Sequence, residues 1–182
     1  VLRNITFTPA NYKSFIDLQD KLHQNIGRER TLVAIGTHDY DTVQGPFIYD
    51  AQKKTDINFI ALNETENRNV VELFNYYHSQ PSHHLKKYLS ITESYDVHPV
   101  IHDSNGQVLS LPPIINSEHS KITLNTQNVF IECTGTDYTK LNIALNMMVS
   151  AFSQYTSKPF TIEKVKVIQE NQKEEEEGQY YP

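Results

Sequence analysis

The amino-acid sequence predicts an α+β fold in which a mixed or antiparallel sheet packs against helices. Apolar residues recur at helical spacing in several segments, and elsewhere they form short runs or alternate with polar residues, as in strands. These segments interleave without the regular strand–helix–strand order of a parallel sheet. With 182 residues the chain suits one domain, and we predict that this domain covers residues 1–168.

The first helix is predicted over about residues 9–26. Thr8 is a suitable N-cap, and Pro9 suits the first helical position because its missing N–H would have no helical partner. Gly27 stands where a left-handed C-terminal cap is expected. The apolar residues at helical spacing are Phe15, Leu18, Leu22 and Ile26.

Three more helices are predicted further along the chain. They cover about residues 67–77, a short segment at 83–88, and about 138–155. The last of these has one long apolar stripe, and Asp137 or Thr136 is its expected N-cap. In the helix at 67–77 the residues expected to face the core are Val70, Val71, Leu73 and Phe74.

Strands are predicted in six short segments. They are residues 31–35, 57–61, 99–102, 108–111, 128–133 and 162–168. Asn105-Gly106 suits a tight turn between the third and fourth strands. Pro112-Pro113 is expected to end the fourth, because proline cannot donate to a strand ladder. Residues 36–46 are predicted to form an ordered loop.

Charge and cysteine content exclude several classes of protein. The net charge is −6, and residues 169–182 hold five glutamates and one lysine, which leaves −2 for the rest of the chain. A domain that binds DNA or RNA by charge alone is strongly basic, so that class is excluded. Residues 169–182 are predicted to be a disordered acidic tail. The single cysteine, Cys133, excludes internal disulfides and multi-cysteine zinc sites, and its apolar strand predicts an unreactive core thiol.

The sequence contains no signal that directs the chain to a membrane or out of the cell. No stretch approaches the roughly 20 apolar residues of a membrane span, and the first residues do not form a signal peptide. We therefore expect a cytoplasmic location and no membrane partner. The start at Val1 without Met suggests a piece of a longer chain.

Several common catalytic motifs are absent from the sequence. No two of the six glycines are closer than nine residues, so neither G-x-G-x-x-G nor a P-loop occurs. H-E-x-x-H and G-x-S-x-G are also absent. The sequence therefore predicts no nucleotide-phosphate loop of these types.

A first candidate site lies in His38-Asp39-Tyr40-Asp41. Alternate residues of an extended segment share a side, so Asp39 and Asp41 could converge on a metal ion or a hydroxyl group. The alternative is a turn-rich loop in which Thr37, Asp39 and Thr42 bond to nearby backbone groups.

His83 and His84 are a second candidate. With Lys86 and Lys87 beside them they could contact a phosphate, or they could lie on a solvated helix face.

A denser polar cluster follows the predicted hairpin. Residues 110–120 leave its second strand, pass a stiff Pro-Pro corner and present polar side chains. On the next strand Glu132 and Thr134 share one side, by the period of two. A carboxylate on the inward side of a strand is costly unless it is paired. Glu132 therefore needs a partner, which is either a ligand or a polar network that ties the loop to the strand.

Five stretches of the chain resemble a known family. They are residues 34–42 (AIGTHDYDT), 44–47 (QGPF), 99–106 (PVIHDSNG), 109–120 (LSLPPIINSEHS) and 125–137 (NTQNVFIECTGTD). In these stretches the chain resembles the β subunit of eukaryotic and archaeal phenylalanyl-tRNA synthetase, and within it the B3/B4 module. The resemblance runs in order over about residues 30–157, which is far more specific than a short motif.

The resemblance implies an α+β fold and an editing activity. In this family the module hydrolyses tyrosine that has been wrongly esterified to phenylalanine tRNA. Ser117-Glu118-His119-Ser120 is similar to a Gly-Glu-His-Ser stretch of the bacterial counterpart, whose Glu belongs to the editing pocket, so the resemblance assigns a role to Glu118. The bacterial pocket also uses a His that has no match here.

The archaeal and eukaryotic branch implies further pocket residues. Its pocket uses a Ser, a Leu and an acidic residue with a Thr two positions on. Ser110 with the pair Glu132 and Thr134 fits this pattern, and Asp137 with Thr139 is an alternative. The expected water-positioning residues are Glu118 and Thr134, and no metal ligand is expected. The full set of expected substrate-binding residues is Ser110, Asn116, Ser117, Glu118, Glu132, Thr134 and Asp137.

The resemblance also implies partners. It predicts an α subunit in an α2β2 heterotetramer and the acceptor end of tRNA(Phe), with no DNA. ATP and magnesium are expected only at the synthetic site of the α subunit, and no cofactor is expected in this domain. Two other functions stay open: a non-catalytic module that positions tRNA or packs subunits, and a freestanding module that acts on other aminoacyl esters. A cleft large enough for tyrosine, lined by Ser110, Glu118 and Glu132, would favour editing over the non-catalytic module.

Overall fold

The computed structural model describes residues 1–158, 161–169 and 179–181. In this part of the chain the helices are α1 (Pro9–Gln24), α2 (Val70–Ser79), α3 (Lys86–Leu89) and α4 (Tyr138–Phe152). The strands are β1 (Val33–Asp39), β2 (Ile48–Lys53), β3 (Asn58–Ile60), β4 (Asn67–Asn69), β5 (Val97–His102), β6 (Val108–Leu111), β7 (Ile115–Asn116), β8 (Val129–Gly135), β9 (Val165–Val167) and β10 (Gln179–Tyr181). A 3-10 turn at Tyr40–Thr42 follows β1.

The strand pairings within the described residues are all antiparallel. β1 pairs with β8, and β2, β5, β6 and β7 form a four-stranded sheet in that order. β3 with β4 and β9 with β10 form two small pairs. The predicted α+β class with an antiparallel sheet is confirmed.

The main hydrophobic core lies between α1, α4 and the β1–β8 pair. Phe15 and Phe152 are fully buried, with ring centroids 4.6 Å apart. Met148 on the same face of α4 is buried with them. Burying an aromatic side chain of this size contributes about 1.5–3 kcal/mol, so the apolar stripes of the two helices hold them on the β1–β8 pair.

A second hydrophobic core lies under α2 and α3. Leu73 and Tyr77 of α2 pack there with Leu89, Leu111 and other buried residues. The prediction that Val71 also faces this core is wrong: Val71 is 41% exposed, because the buried face of α2 is formed by Val70, Leu73, Phe74 and Tyr77 at helical spacing.

The end of α1 differs from the prediction. Gly27 was expected to adopt a left-handed conformation, but the residues with positive φ are Arg28, Glu29 and Arg30. A Cβ on Gly27 would lie 2.6 Å from the Val33 carbonyl oxygen. Glycine therefore stands at 27 because the returning chain passes too close for a side chain.

The predicted loop at residues 36–46 begins later than expected. Gly36–Asp39 continues β1, because each of these residues pairs in register with β8, from Glu132 to Val129. The strands β2 and β7 were missed. β2 is mostly exposed, with no apolar alternation to reveal it, and β7 has only two residues.

The other predicted elements have counterparts in the structure. The hairpin is β5 and β6, Pro112-Pro113 follows the end of β6, and Gly106 in the turn has φ +77°. The helix expected from residue 67 is shorter, because Asn67–Asn69 pairs with β3 and Asn69 then caps α2.

The C-terminal segment falls partly outside the described residues. The acidic stretch 170–178 and residue 182 lie outside them, so the prediction of a disordered tail applies there untested. That prediction is wrong for Gln179–Tyr181, which pairs with β9 as a strand. No helix in the described ranges is long and apolar enough to cross a membrane.

Candidate functional site

A cleft of about 550 Å³ opens between the two hydrophobic cores. On the side of the main core it is lined by residues that include Gln19 and Ile35, and on the other side by residues that include Tyr77 and Leu111. This volume lies within the roughly 300–1,000 Å³ of small-molecule sites. The predicted site residues that line this cleft are Ser110, Asn116 and Glu132.

Glu132 is the acidic group on the β8 side of the cleft. Its side chain is only 9% exposed. Ser110 donates its hydroxyl to Oε1 at 3.0 Å. Within the described residues Oε2 is buried and has no hydrogen-bond partner. The partner that the sequence required is therefore present on one oxygen only, and the buried Oε2 has an unused capacity to accept a hydrogen bond.

His38 lies beside this carboxylate. Its ring is fully buried, and Nε2 is 3.9 Å from Glu132 Oε1. Nδ1 is 2.7 Å from the Ser120 hydroxyl. Nε2 has no hydrogen-bond partner in the described part of the chain. A row of four polar side chains therefore runs from Ser120 through His38 and Glu132 to Ser110.

Gly36 makes room for the carboxylate. It is opposite Glu132 in the β1–β8 register. A Cβ at this position would lie 2.7 Å from Glu132 Cδ and closer still to Oε1. Real Cβ atoms do not approach other atoms so closely. Any side chain at 36 would therefore force the Glu132 carboxylate to shift from its present position.

Asn116 joins the cleft to α1 through a chain of hydrogen bonds. Its amide donates to the Thr37 carbonyl at 3.3 Å, and the Thr37 hydroxyl donates to Gln19 Oε1 at 3.3 Å. The Gln19 amide in turn donates to the Ile35 carbonyl at 2.9 Å. These bonds hold β7, β1 and α1 at fixed positions around the cleft.

Ser117 and Glu118 lie behind the cleft wall. Ser117 is buried, donates to the Ile60 carbonyl and accepts the His119 N–H. Glu118 accepts the Asn63 N–H at 2.6 Å and the Lys121 ammonium at 3.2 Å. Asn63 and Lys121 do line the cleft, so Glu118 acts on it by positioning them.

Thr134 and Asp137 are not among the lining residues of this cleft. Thr134 is paired with Ala34 in the β1–β8 ladder. Asp137 is the N-cap of α4: its Oδ1 accepts the Lys140 N–H at 3.0 Å and its Oδ2 pairs with the Lys140 ammonium. The Lys140 side chain lowers the pKa of Asp137 from its ordinary value. The structure therefore brings three of the predicted residues together and leaves these two apart.

The turn-rich alternative holds for Asp39 and Thr42 but not for Thr37, which lies in β1 and donates its hydroxyl to Gln19. Asp39 accepts the Asp41 N–H and the Thr126 hydroxyl, and Asp41 accepts the Asn128 amide. The Thr42 hydroxyl donates to the Asp39 carbonyl. Within the described residues no three His, Cys, Asp or Glu side chains converge as a metal-binding group.

The sequence did not connect two residues with the cleft, Arg30 in its wall and His38 beside Glu132. Arg30 lines the cleft, donates to the Ile114 carbonyl at 2.9 Å and lies 4.4 Å from the Tyr88 ring centroid. In the sequence His38 belongs to the candidate site with Asp39 and Asp41, and nothing there relates it to Glu132. Only the β1–β8 register brings His38 next to Glu132, and this register cannot be read from the sequence.

Cys133 occupies the opposite face of β8. It packs against the main core, as predicted, and burial raises the pKa of its thiol.

Comparison with known proteins identifies the same family that the sequence suggested. Residues 1–168 match the model of the B3/4 domain. Over 173 residues the chain is 57% identical to the phenylalanine–tRNA ligase β subunit of Mus musculus, which covers 95% of this chain and 29% of that protein. The Caenorhabditis elegans β subunit is 59% identical over 93% of the chain, and the one from Arabidopsis thaliana, named cytoplasmic, is 57% identical over 95%. The chain spans less than a third of these relatives.

A solved structure has the same fold. It is an N-terminal fragment of the phenylalanyl-tRNA synthetase β subunit from Pyrococcus horikoshii, with a TM-score of 0.84 and 33% sequence identity. The match covers 93% of this chain and 47% of that one.

Proposed function

Since this chain belongs to the B3/4 domain family, we propose that it is the editing domain of a phenylalanine–tRNA ligase β subunit and hydrolyses tyrosine from mischarged tRNA(Phe). The relatives that carry this domain are β subunits of that ligase. The observation that carries the proposal is the Glu132 carboxylate, which lies in a cleft with one oxygen bonded to Ser110 and the other without a partner in the described residues.

The difference between tyrosine and phenylalanine explains why such an acceptor is useful. A hydrophobic pocket rejects an isostere that adds a hydroxyl by only about a hundredfold. A site that hydrogen-bonds the hydroxyl rejects the ligand without it by about 10⁴ or more, because its buried polar groups are then left unpaired. The phenol hydroxyl of tyrosine would donate to Glu132 Oε2, whereas the phenyl ring of phenylalanine would leave this oxygen without a hydrogen bond. Phenylalanyl-tRNA(Phe) would therefore not be hydrolysed.

Ser110, Asn116 and Glu132 are the substrate contacts in this proposal. Because an aminoacyl ester is already activated, hydrolysis needs chiefly an oriented water molecule and donors for the developing oxyanion. Lys121, held by Glu118, is a cation that lines the cleft and could act on that charge. We assign no nucleophile.

The remaining partners follow from the same proposal. The chain would act within a ligase whose α subunit binds ATP and magnesium, in an α2β2 assembly in the cytoplasm, and would receive the acceptor end of tRNA(Phe). The low charge of the domain, −2 without residues 169–182, suits a domain that does not capture tRNA alone. The open cleft, lined by Ser110 and Glu132 but not by Glu118, favours this function over a packing module, in which core side chains would fill that space.

The test is deacylation of tyrosyl-tRNA(Phe) by the whole ligase. Glu132→Ala should lower the rate about 10- to 150-fold, the value of a hydrogen bond to a charged group, and Ser110→Ala about fivefold. Glu163→Ala, which removes an exposed carboxylate paired with Arg3 rather than one in the cleft, is the matched control and should keep the full rate. Charging with phenylalanine should continue in all three. Undiminished deacylation by the Glu132 and Ser110 variants would contradict the proposed site.

A further inference from the structure

One wall of the cleft carries a stack of three rings. The Tyr77 and His83 ring centroids are 4.1 Å apart with 17° between the planes. His84 continues the stack, 5.0 Å from His83 at 21°. All three residues line the cleft that contains Glu132.

The stack is anchored at one end and open at the other. Tyr77 is fully buried, and the Leu85 N–H donates to His83 Nδ1 at 3.4 Å. His84 is exposed. Burial, with His84 nearby, lowers the pKa of His83, which favours the neutral form of its ring. The face of the His84 ring that points away from His83 is therefore exposed, while Tyr77 fixes the other end of the stack in the core.

The nearby lysines are directed elsewhere. The Lys86 ammonium donates to the His78 carbonyl, and the Lys87 ammonium lies 4.8 Å from the Tyr88 ring centroid and 3.9 Å from Glu29. Neither lysine lines the cleft. The feature that faces the cleft is therefore a flat ring and not a cluster of positive charge.

An aminoacyl-tRNA ester brings a second flat group to the cleft. The ester joins the amino acid to the terminal nucleoside of the tRNA, so a purine base lies a few bonds from the carbonyl carbon. The cleft volume of about 550 Å³ suits a drug-sized ligand rather than an amino acid alone. Aromatic side chains are common platforms for unpaired bases, since each base has a π face.

We propose that His84, supported by His83 and Tyr77, is the stacking platform for the terminal purine nucleoside of the tRNA whose aminoacyl group lies at Glu132. This inference rests on the proposed function and adds the residues that hold the nucleic-acid part of the substrate. Tyr77 and His83 are positioning residues here, and His84 is the contact.

A double-mutant cycle between protein and substrate tests the platform. The whole ligase, wild type or His84→Ala, is given tyrosyl-tRNA(Phe) with its normal terminal adenosine or the same tRNA with an abasic terminal nucleoside. With the normal tRNA, His84→Ala should slow deacylation about 5- to 150-fold, the range for loss of one base–aromatic stack. With the abasic tRNA, His84→Ala should have no further effect. His84→Phe should restore the rate, and His78→Ala, which removes a histidine outside the cleft, should keep it.

The outcomes separate the platform from the proposed function. Equal losses on both tRNAs would mean that His84 has only a structural role, and no loss on either would mean that the base stacks elsewhere; each overturns the platform. If the wild-type ligase and Glu132→Ala deacylate the normal tRNA at the same rate, the proposed function fails before His84 is changed, and the platform fails with it.

Discussion

His38 and Glu132 face each other on one side of the β1–β8 pair, with 3.9 Å between Nε2 and Oε1. In the register His38 is opposite Phe130 and Gly36 is opposite Glu132, so the two side chains are diagonal neighbours. The sequence places a histidine and a glutamate far apart in the chain. The strand pairing brings them together in a buried place beside the cleft.

Removal of His38 should destabilise the protein. His38→Ala leaves the buried Ser120 hydroxyl without its partner, and an unsatisfied buried group costs about 1–3 kcal/mol. Urea titration measures this loss in the free energy of unfolding. The double variant with Ser120→Ala should lose less than the sum of the two single variants, because the first change already breaks the shared hydrogen bond. Additive losses would show that the hydrogen bond contributes little.

A methyl group at position 36 should displace the carboxylate. Gly36→Ala places a Cβ within 2.7 Å of Glu132 Cδ, so we expect deacylation of tyrosyl-tRNA(Phe) to fall about tenfold or more, as for loss of a charged hydrogen bond. Gly45→Ala is the matched control, because its Cβ would meet Phe47 at an ordinary 3.8 Å. Equal rates in the two variants would show that the position of Glu132 is not critical.

Asp137 should matter for stability and not for editing. As the N-cap of α4 it contributes about 1 kcal/mol, so Asp137→Ala should lower the free energy of unfolding by that amount. Asp137→Ser should restore most of it, since Ser is also a good N-cap. Deacylation should be unchanged in both variants. A large loss of deacylation in Asp137→Ser would instead favour Asp137 with Thr139 as pocket residues.

Acid should destabilise the fold through His23. Burial, with Arg30 nearby, lowers the pKa of His23 to about 3, and its Nε2 accepts the Ile35 N–H. The unfolded chain, with an ordinary pKa near 6.5, binds the proton first, so stability is present above about pH 6.5 and falls as the pH drops toward 3. At pH 5 the free energy of unfolding is lower by about 2 kcal/mol because of His23. His23→Gln should remove that part of the pH dependence in urea titrations at pH 7.5 and 5. If the difference in free energy of unfolding between pH 7.5 and pH 5 is the same in His23→Gln as in the wild type, this prediction is wrong.

The predicted helices and the hairpin show how far local signals reach. The caps act within one helical turn: Thr8 is the predicted cap of α1, and Asp137 is one of the two candidates for α4. Pro112-Pro113 follows the end of β6 for an equally local reason. Two errors have different causes. Gly36 belongs to a strand only because the distant strand β8 pairs with it. Val71 is exposed for a local reason, because the buried face of α2 is formed by Val70, Leu73, Phe74 and Tyr77 at helical spacing.

By itself the sequence determined the α+β class, the main helices and the need of Glu132 for a partner, because periodicity, caps and alternation act over a few residues. It also contained the stretches that relate the chain to its family. Only the tertiary structure decided which polar groups meet. Ser110 reaches Glu132 across 22 positions and Ser120 reaches His38 across 82. The physical reason is strand register, which is set by the packing of whole elements and assembles the cleft from residues that no local pattern connects.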